Sequence, residues 1–173
     1  MKSVKPILLA LLILGFINSN AQEITRNNVY LEIAGASMFY SVNYERVLLR
    51  NTENNIAVRI GGMYLPTKND GSIRQMSGSV FGISYLKRIT KNFFEIGCAA
   101  SAIYDTYDLT SGTVQDLAII RSVRAGIRHQ PREKGLYWNA LAQISLVSFG
   151  DVNDFRPDHY FLPFASFGIG YGF

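Results

Sequence analysis

The chain has 173 residues, a formal net charge of +4 and a hydrophobic content of 48%. This length suits one domain, and the single cysteine, Cys98, excludes a fold held together by intrachain disulfide bonds. Two lysines lie before residue 22, so residues 22–173 carry a net charge of only +2, from 15 Lys and Arg against 13 Asp and Glu. Such a small charge provides no basic face, and no nucleic-acid partner is expected.

Residues 1–21 have the three parts of a secretory signal peptide. Lys2 and Lys5 precede the apolar run ILLALLILGFI at residues 7–17, which is shorter than the stretch of about 20 residues that a transmembrane helix needs. The small residues of SNA, at 19–21, then mark a cleavage site before Gln22. We therefore expect residues 1–21 to be removed on export and residues 22–173 to form the mature domain.

Beyond residue 21 the sequence alternates apolar and polar residues and lacks the 3.6-residue period of an amphipathic helix. Eight segments show this alternation, at residues 29–34, 38–46, 55–61, 80–88, 93–104, 121–130, 136–149 and 165–173. An even number of antiparallel strands allows the last strand to pair with the first, which removes both open edges. The sequence predicts an all-β fold, an eight-stranded antiparallel up-and-down transmembrane β-barrel.

The predicted connections alternate in length along most of the chain. Short turns alternate with longer polar links, which we expect to be loops, at residues 65–79, 105–116 and 150–163. Short turns at one end of a barrel and longer loops at the other are typical of outer-membrane barrels.

The polar side of the strands carries six charges of both signs: Glu32, Glu45, Arg59, Glu95, Arg124 and Arg128. An eight-stranded barrel has a lumen only wide enough to be filled by side chains, and arginine can engage a carboxylate through two hydrogen bonds. We expect the six charges to pair inside the barrel while the apolar stripes face lipid. Arg121 is the exception, because strict alternation from Val123 directs it outward, and we expect a bulge or a position at the outer rim.

Three stretches, VYLEIAGASMFYSVNYERVL, IRHQPREKGLYWNALAQISL and the closing FGIGYGF, resemble the small outer-membrane β-barrel proteins of Gram-negative bacteria. The resemblance implies a location in the cell outer membrane, with outer-membrane lipid and the outer-membrane assembly machinery as partners. Phe173, with Tyr171, resembles the terminal signal that this machinery recognises. An extracellular or periplasmic protein partner stays open, and most members of the family have no assigned activity.

No catalytic activity, cofactor or metal is expected from the residues, which include only His129 and His159 as histidines and no G-x-S-x-G motif. The expected function is therefore a structural or interaction outer-membrane protein with a charge-plugged lumen and extracellular loops. One alternative is a soluble periplasmic barrel that turns its apolar side inward around a small ligand. The other is a lipid-modifying hydrolase that uses Ser148 as nucleophile and His159 as base, with an acid from Asp151, Asp154 or Asp158.

Overall fold

The computed structural model describes residues 24–50, 53–69, 72–109, 112–151 and 158–173, so the predicted signal peptide lies outside the described residues. The eight strands are β1 (Asn27–Ile33), β2 (Tyr40–Arg50), β3 (Asn54–Asn69), β4 (Ser72–Ile89), β5 (Asn92–Leu109), β6 (Gly112–His129), β7 (Gly135–Asp151) and β8 (Asp158–Gly172). Each strand pairs antiparallel with its neighbours in sequence, and β8 pairs with β1 to close the barrel. The predicted eight-stranded antiparallel up-and-down barrel is confirmed. Within the described ranges, no helix is long and apolar enough to cross a membrane.

The alternation of the sequence becomes an alternation of exposure. In β1 the side chains of Tyr30 and Glu32 are buried in the lumen, whereas Leu31 and Ile33 are exposed on the outer surface. Successive side chains of a strand point to opposite faces, so one residue type lines the inside and the other covers the outside. The barrel therefore buries charged side chains and exposes large apolar ones.

Several predicted loops are in fact strand. β3 and β4 remain paired as far as Asn69 and Ser72, and β5 and β6 as far as Leu109 and Gly112. The loops predicted at residues 65–79 and 105–116 are therefore wrong. Past the apolar outer belt, a hairpin can continue its cross-strand backbone hydrogen bonds without any apolar alternation, so the strand leaves no periodic signal there. In the third predicted loop, residues 150–151 and 158–163 are strand, and residues 152–157 lie outside the description.

The bulge considered for Arg121 is also wrong. Arg121 pairs with Ala100 on one side and Leu146 on the other, in an unbroken register. Its side chain is exposed on the outer wall, at the middle of β6 and not at its end. The register irregularity that the structure does show lies in β2, between Val47 and Leu49.

The strands are staggered around the barrel. Val29 of β1 pairs directly with Tyr171 of β8. If paired residues are instead followed from Val29 through β2, β3 and so on around the barrel, the row reaches β8 at Phe161. Tyr171 and Phe161 are ten residues apart, so the barrel closes with a shift of about ten residues. This shift tilts the strands by about 40° relative to the barrel axis. Along a row of paired residues, the height on the barrel axis therefore changes by the equivalent of about 1.25 residues at each step to the next strand. As a consequence, Arg121 in β6 lies within about one residue of the level of Tyr64 in β3.

Candidate functional site

The lumen holds all six of the charges singled out in the sequence. Five of the eight strands supply them, and each side chain is at most 2% exposed: Glu32 from β1, Glu45 from β2, Arg59 from β3, Glu95 from β5, and Arg124 and Arg128 from β6. Strand parity explains their common direction, because each of them follows an outward-facing apolar neighbour by one residue.

The six charges form one chain in which the signs alternate. Arg59 Nη1 lies 2.7 Å from Glu32 Oε2, and Arg124 Nη1 lies 2.9 Å from Glu32 Oε1. Arg124 also reaches Glu95, with 2.6 Å between Nη2 and Oε1. Arg128 then contacts Glu95 more loosely, at 3.5 Å between Nη1 and Oε2, and pairs closely with Glu45. The order is Arg59–Glu32–Arg124–Glu95–Arg128–Glu45, so the formal charges cancel.

Neutral polar side chains extend this chain towards the end of the barrel that holds the β6–β7 turn. The Tyr137 hydroxyl accepts a hydrogen bond from Arg128 Nη2 at 2.8 Å, and the guanidinium lies 4.9 Å from the centre of the Tyr137 ring. Asn28 Nδ2 donates to Glu45 Oε1 at 2.9 Å and to Gln130 Oε1 at 3.1 Å. A buried carboxylate is stable only when its oxygen atoms accept hydrogen bonds or pair with a cation. Asn28 provides one such hydrogen bond to Glu45.

Two glycines allow the backbone to approach the charge chain. A Cβ added at Gly35, in the β1–β2 turn, would lie 2.1 Å from Glu32 Oε2. A Cβ added at Gly82 would lie 2.8 Å from Arg59 Nε. Both positions therefore need a residue without a side chain, because the facing charged groups occupy the space.

Apolar clusters close the lumen on both sides of the charge chain. At the end near the β2–β3 turn, one cluster packs Ile24, Val47, Ala57, Leu86 and Phe93. Towards the opposite end, a second cluster fills the lumen with Met63, Ile103, Ala118, Ile120 and Val147. This second cluster was not predicted from the sequence, because apolar residues face both the lumen and the outside at that level and the alternation disappears.

The β1–β2 turn adds to the filling of the lumen. Ala36 is fully buried and packs with Val80 and Ala99, and its carbonyl oxygen accepts a hydrogen bond from the Ser101 hydroxyl. Ala34 and Met38 have positive φ angles of 53° and 69°, which fold the turn back on itself. The turn thus lies inside the wall of the longer strands.

The outer wall is covered by large apolar and aromatic side chains. Phe81, Val123 and Ile144 are each about three-fifths exposed, and Phe161 is 75% exposed. The two residues predicted as an assembly signal, Tyr171 and Phe173, are also exposed on this wall. The backbone of Phe173 continues the closing pairing through hydrogen bonds with Asn27 of 2.8 and 3.0 Å.

A groove runs along the outer wall of β4 to β8. It has a volume of about 630 Å³, and an almost wholly apolar lining of residues that include Phe81, Ile83, Cys98, Ala100, Val123, Ile144, Leu146 and Phe161. Small side chains at Cys98 and Ala100 make its floor, and larger ones make its sides. Arg121 is the charged residue of the lining, and among the described residues it forms no ion pair or hydrogen bond.

Ser148 and His159 meet on the same side of the wall, where His159 is exposed and Ser148 is only 2% exposed. They are direct cross-strand partners in β7 and β8, and Ser148 Oγ lies 2.9 Å from His159 Nδ1. The structure therefore brings together two of the residues of the predicted hydrolase alternative. The side chains of Asp151, Asp154 and Asp158 lie outside the described residues. The other histidine, His129, is far from this pair, at the opposite end of β6, where its Nδ1 lies 3.0 Å from Asn92 Oδ1.

No family model, no curated protein and no solved structure matches this chain.

Proposed function

We propose that this chain is an outer-membrane β-barrel protein with a sealed lumen, which acts as a structural or interaction protein and has membrane lipid and the assembly machinery of the outer membrane as partners. The observation that carries the proposal is the inverted distribution of its side chains. Arg124, Arg128 and Glu95 are buried in the lumen, while Phe161 and Ile144 are among the most exposed residues. A wall of this kind is stable only where its surroundings are apolar.

A soluble periplasmic barrel is disfavoured by the same distribution. Such a barrel needs its apolar stripe inside, around a ligand cavity, and charged residues on its outer surface. Here the lumen is occupied by the charge chain and by the two apolar clusters. Monomeric soluble proteins rarely expose contiguous apolar patches larger than a few hundred Å².

A conducting pore is likewise disfavoured. Water-filled channels are found in barrels of about 16 strands or more, whereas a barrel of eight is filled by its own side chains. Val147 and Ile120 close one side of the charge chain, and Leu86 and Phe93 close the other. We expect the purified protein to give no channel conductance in a planar bilayer.

Cys98 provides a direct test of the membrane proposal, because the sequence has no other cysteine. It is exposed on the outer wall, where it pairs with Ile83 and Val123, near the middle of the apolar belt. A nitroxide attached to Cys98 in protein reconstituted into lipid vesicles should collide readily with oxygen and rarely with a water-soluble nickel chelate. A matched control, Cys98→Ala with Lys91→Cys, moves the label to the exposed β4–β5 turn and should reverse the ratio.

The proposal fails if the label at Cys98 meets the nickel chelate as often as the label at position 91. It fails equally if the protein, expressed in a Gram-negative host, is released into buffer without detergent. A folded barrel should also migrate faster in gel electrophoresis before boiling than after it, which tests closure independently of location.

The pair of Ser148 and His159 favours a second candidate function, the hydrolysis of an acyl ester of a membrane lipid. In this reaction His159 would accept the proton of the Ser148 hydroxyl while the oxygen attacks the ester carbonyl, and would return it to the lipid alcohol as the ester C–O bond breaks. Water would then hydrolyse the acyl-Ser148 ester and release the fatty acid. The hydrogen bond of 2.9 Å between the two side chains is the observation in its favour. Incubation of the reconstituted protein with a phospholipid should then release fatty acid, and Ser148→Ala should abolish the release. No release by the unmodified protein would remove this candidate.

A further inference from the structure

We propose that the outer groove of β4 to β8 is a binding site for one phosphate-bearing acyl lipid, drawn from the membrane leaflet at the end of the barrel where the β3–β4 and β5–β6 hairpins lie. An acyl chain would lie between Phe81, Val123 and Ile144, and the phosphate would be bound by Arg121. The inference rests on the proposed function, because the groove meets lipid only if the barrel spans a membrane.

The groove has the size and the chemistry of a lipid-chain site. Its volume of about 630 Å³ falls within the range of roughly 300–1,000 Å³ that is usual for small-molecule sites. Ala100 and Cys98 form the floor, since their short side chains stand between the larger ones of Ile83 and Val123. A flexible hydrocarbon chain can follow such a groove more closely than the rigid outer wall of another barrel can.

Arg121 supplies the charge complementarity. The guanidinium is exposed, has no anionic partner among the described residues, and presents the planar fork that suits a phosphate. Its level matches that of Tyr64, an exposed aromatic residue towards the edge of the apolar belt, where the interface and its headgroups are expected. The position therefore places a cation where a lipid phosphate would lie.

Polar groups continue beyond Arg121 along the same wall. Arg121 pairs with Leu146, and Ser148 is two residues further along that strand, so the two residues are diagonal neighbours at about 7–8 Å. Ser148 is in turn bonded to His159. Ser148 is only 2% exposed, so Arg121 and the exposed His159 imidazole are the polar groups that the headgroup of a lipid in this apolar groove could contact.

A second copy of the chain fits this surface less well. A two-fold interface places the same patch of both subunits in contact, so it would bring two Arg121 side chains together. The described outer wall around the groove offers no carboxylate to balance them. A lipid phosphate supplies that balance in one molecule.

The test uses the full chain purified in mild detergent, with bound lipid counted by native mass spectrometry. The probes are phosphatidylglycerol and a diacylglycerol with the same acyl chains, which lacks the phosphate. The unmodified protein should retain one phosphatidylglycerol with an affinity about tenfold or more above that for diacylglycerol, the ratio expected for charge-assisted hydrogen bonds. Arg121→Gln should remove this preference, and Ala100→Phe, which fills the floor, should weaken retention of both lipids.

Lys87→Gln is the matched control, because it removes an outward-facing cation of the same barrel outside the groove, and it should leave retention unchanged. The inference is overturned if Arg121→Gln keeps the phosphatidylglycerol preference, or if the unmodified protein retains no lipid. It is also overturned if the protein is a dimer that Ala100→Phe dissociates. If the nitroxide at Cys98 is lipid-exposed but Arg121→Gln does not change lipid retention, this inference alone fails and the membrane proposal stands.

Discussion

Removal of Arg124 should destabilise the barrel, because Arg124 joins two carboxylates of the charge chain. Arg124 donates to Glu32 at 2.9 Å and to Glu95 at 2.6 Å. Without it, Glu32 keeps Arg59 at 2.7 Å, whereas Glu95 keeps the Ser84 hydroxyl at 2.7 Å and, as its one cationic partner in the charge chain, Arg128 at the looser distance of 3.5 Å. The lumen then holds one uncompensated negative charge. Breaking a buried ion pair from one side costs about 3–5 kcal/mol, and we expect that loss in the free energy of unfolding for Arg124→Met.

A second substitution separates pairing from net charge. Adding Glu95→Gln to Arg124→Met leaves two intact pairs, Arg59–Glu32 and Arg128–Glu45. The double variant should therefore be more stable than Arg124→Met alone, by about 1 kcal/mol or more, within the usual range of coupling between contacting residues. The control is Arg124→Met with Glu45→Gln, which restores the same net charge at a residue that Arg124 does not contact. It should recover less stability.

Urea unfolding in detergent micelles or vesicles measures these differences through the fluorescence of Trp138, the single tryptophan of the sequence. Trp138 lies on the outer wall, so the substitutions in the lumen do not touch the reporter directly. If the effects of Arg124→Met and Glu95→Gln are simply additive, the chain is not an energetic unit. If both double variants recover stability equally, net charge and not the contact is responsible.

Two further predictions concern glycines. Gly35→Ala should cost about 1–3 kcal/mol in the same urea assay, because the added Cβ would lie 2.1 Å from Glu32 Oε2, whereas Gly135→Ala, with its nearest atom at 3.6 Å, should change little. Gly170→Ala should reduce or abolish the faster-migrating folded band on a gel, because its Cβ would lie 2.1 Å from a carbonyl oxygen of β1 at the closing pair of strands. Gly62→Ala, with its nearest atom at 3.5 Å, is the control and should keep the band; equal behaviour of the two variants would contradict the steric explanation.

The closed barrel and the direction of its charges were predictable because they depend on parity alone. Once eight alternating segments are recognised, the position of Glu32 between Leu31 and Ile33 already fixes its side of the wall. Which charges meet was not predictable. Glu32 and Arg124 are 92 residues apart in the sequence, and their contact depends on the stagger of the whole barrel.

The interior above the charge chain was not predictable either. At residues 119 and 120, Ile119 lies on the outer side and Ile120 is buried in the lumen, so two adjacent isoleucines face opposite environments that are both apolar. The period of two disappears wherever this happens, and the sequence then gives no sign of which face is inside. The same loss of contrast in the hairpins beyond the belt led to strands being predicted as loops.

The charges in the lumen are paired with one another, whereas Arg121 on the outer wall is not paired among the described residues. This contrast favours the outer wall as the place where other molecules would interact. Inside, each arginine pairs with at least one carboxylate of the charge chain, and all six charged side chains are buried away from the surface. Outside, Arg121 has no such partner among the described residues. An arginine on a lipid-facing wall costs about 2–4 kcal/mol at the midplane and about 0–1 kcal/mol near the interface. If the outer wall faces lipid as proposed, a phosphate bound by the Arg121 guanidinium would offset this cost.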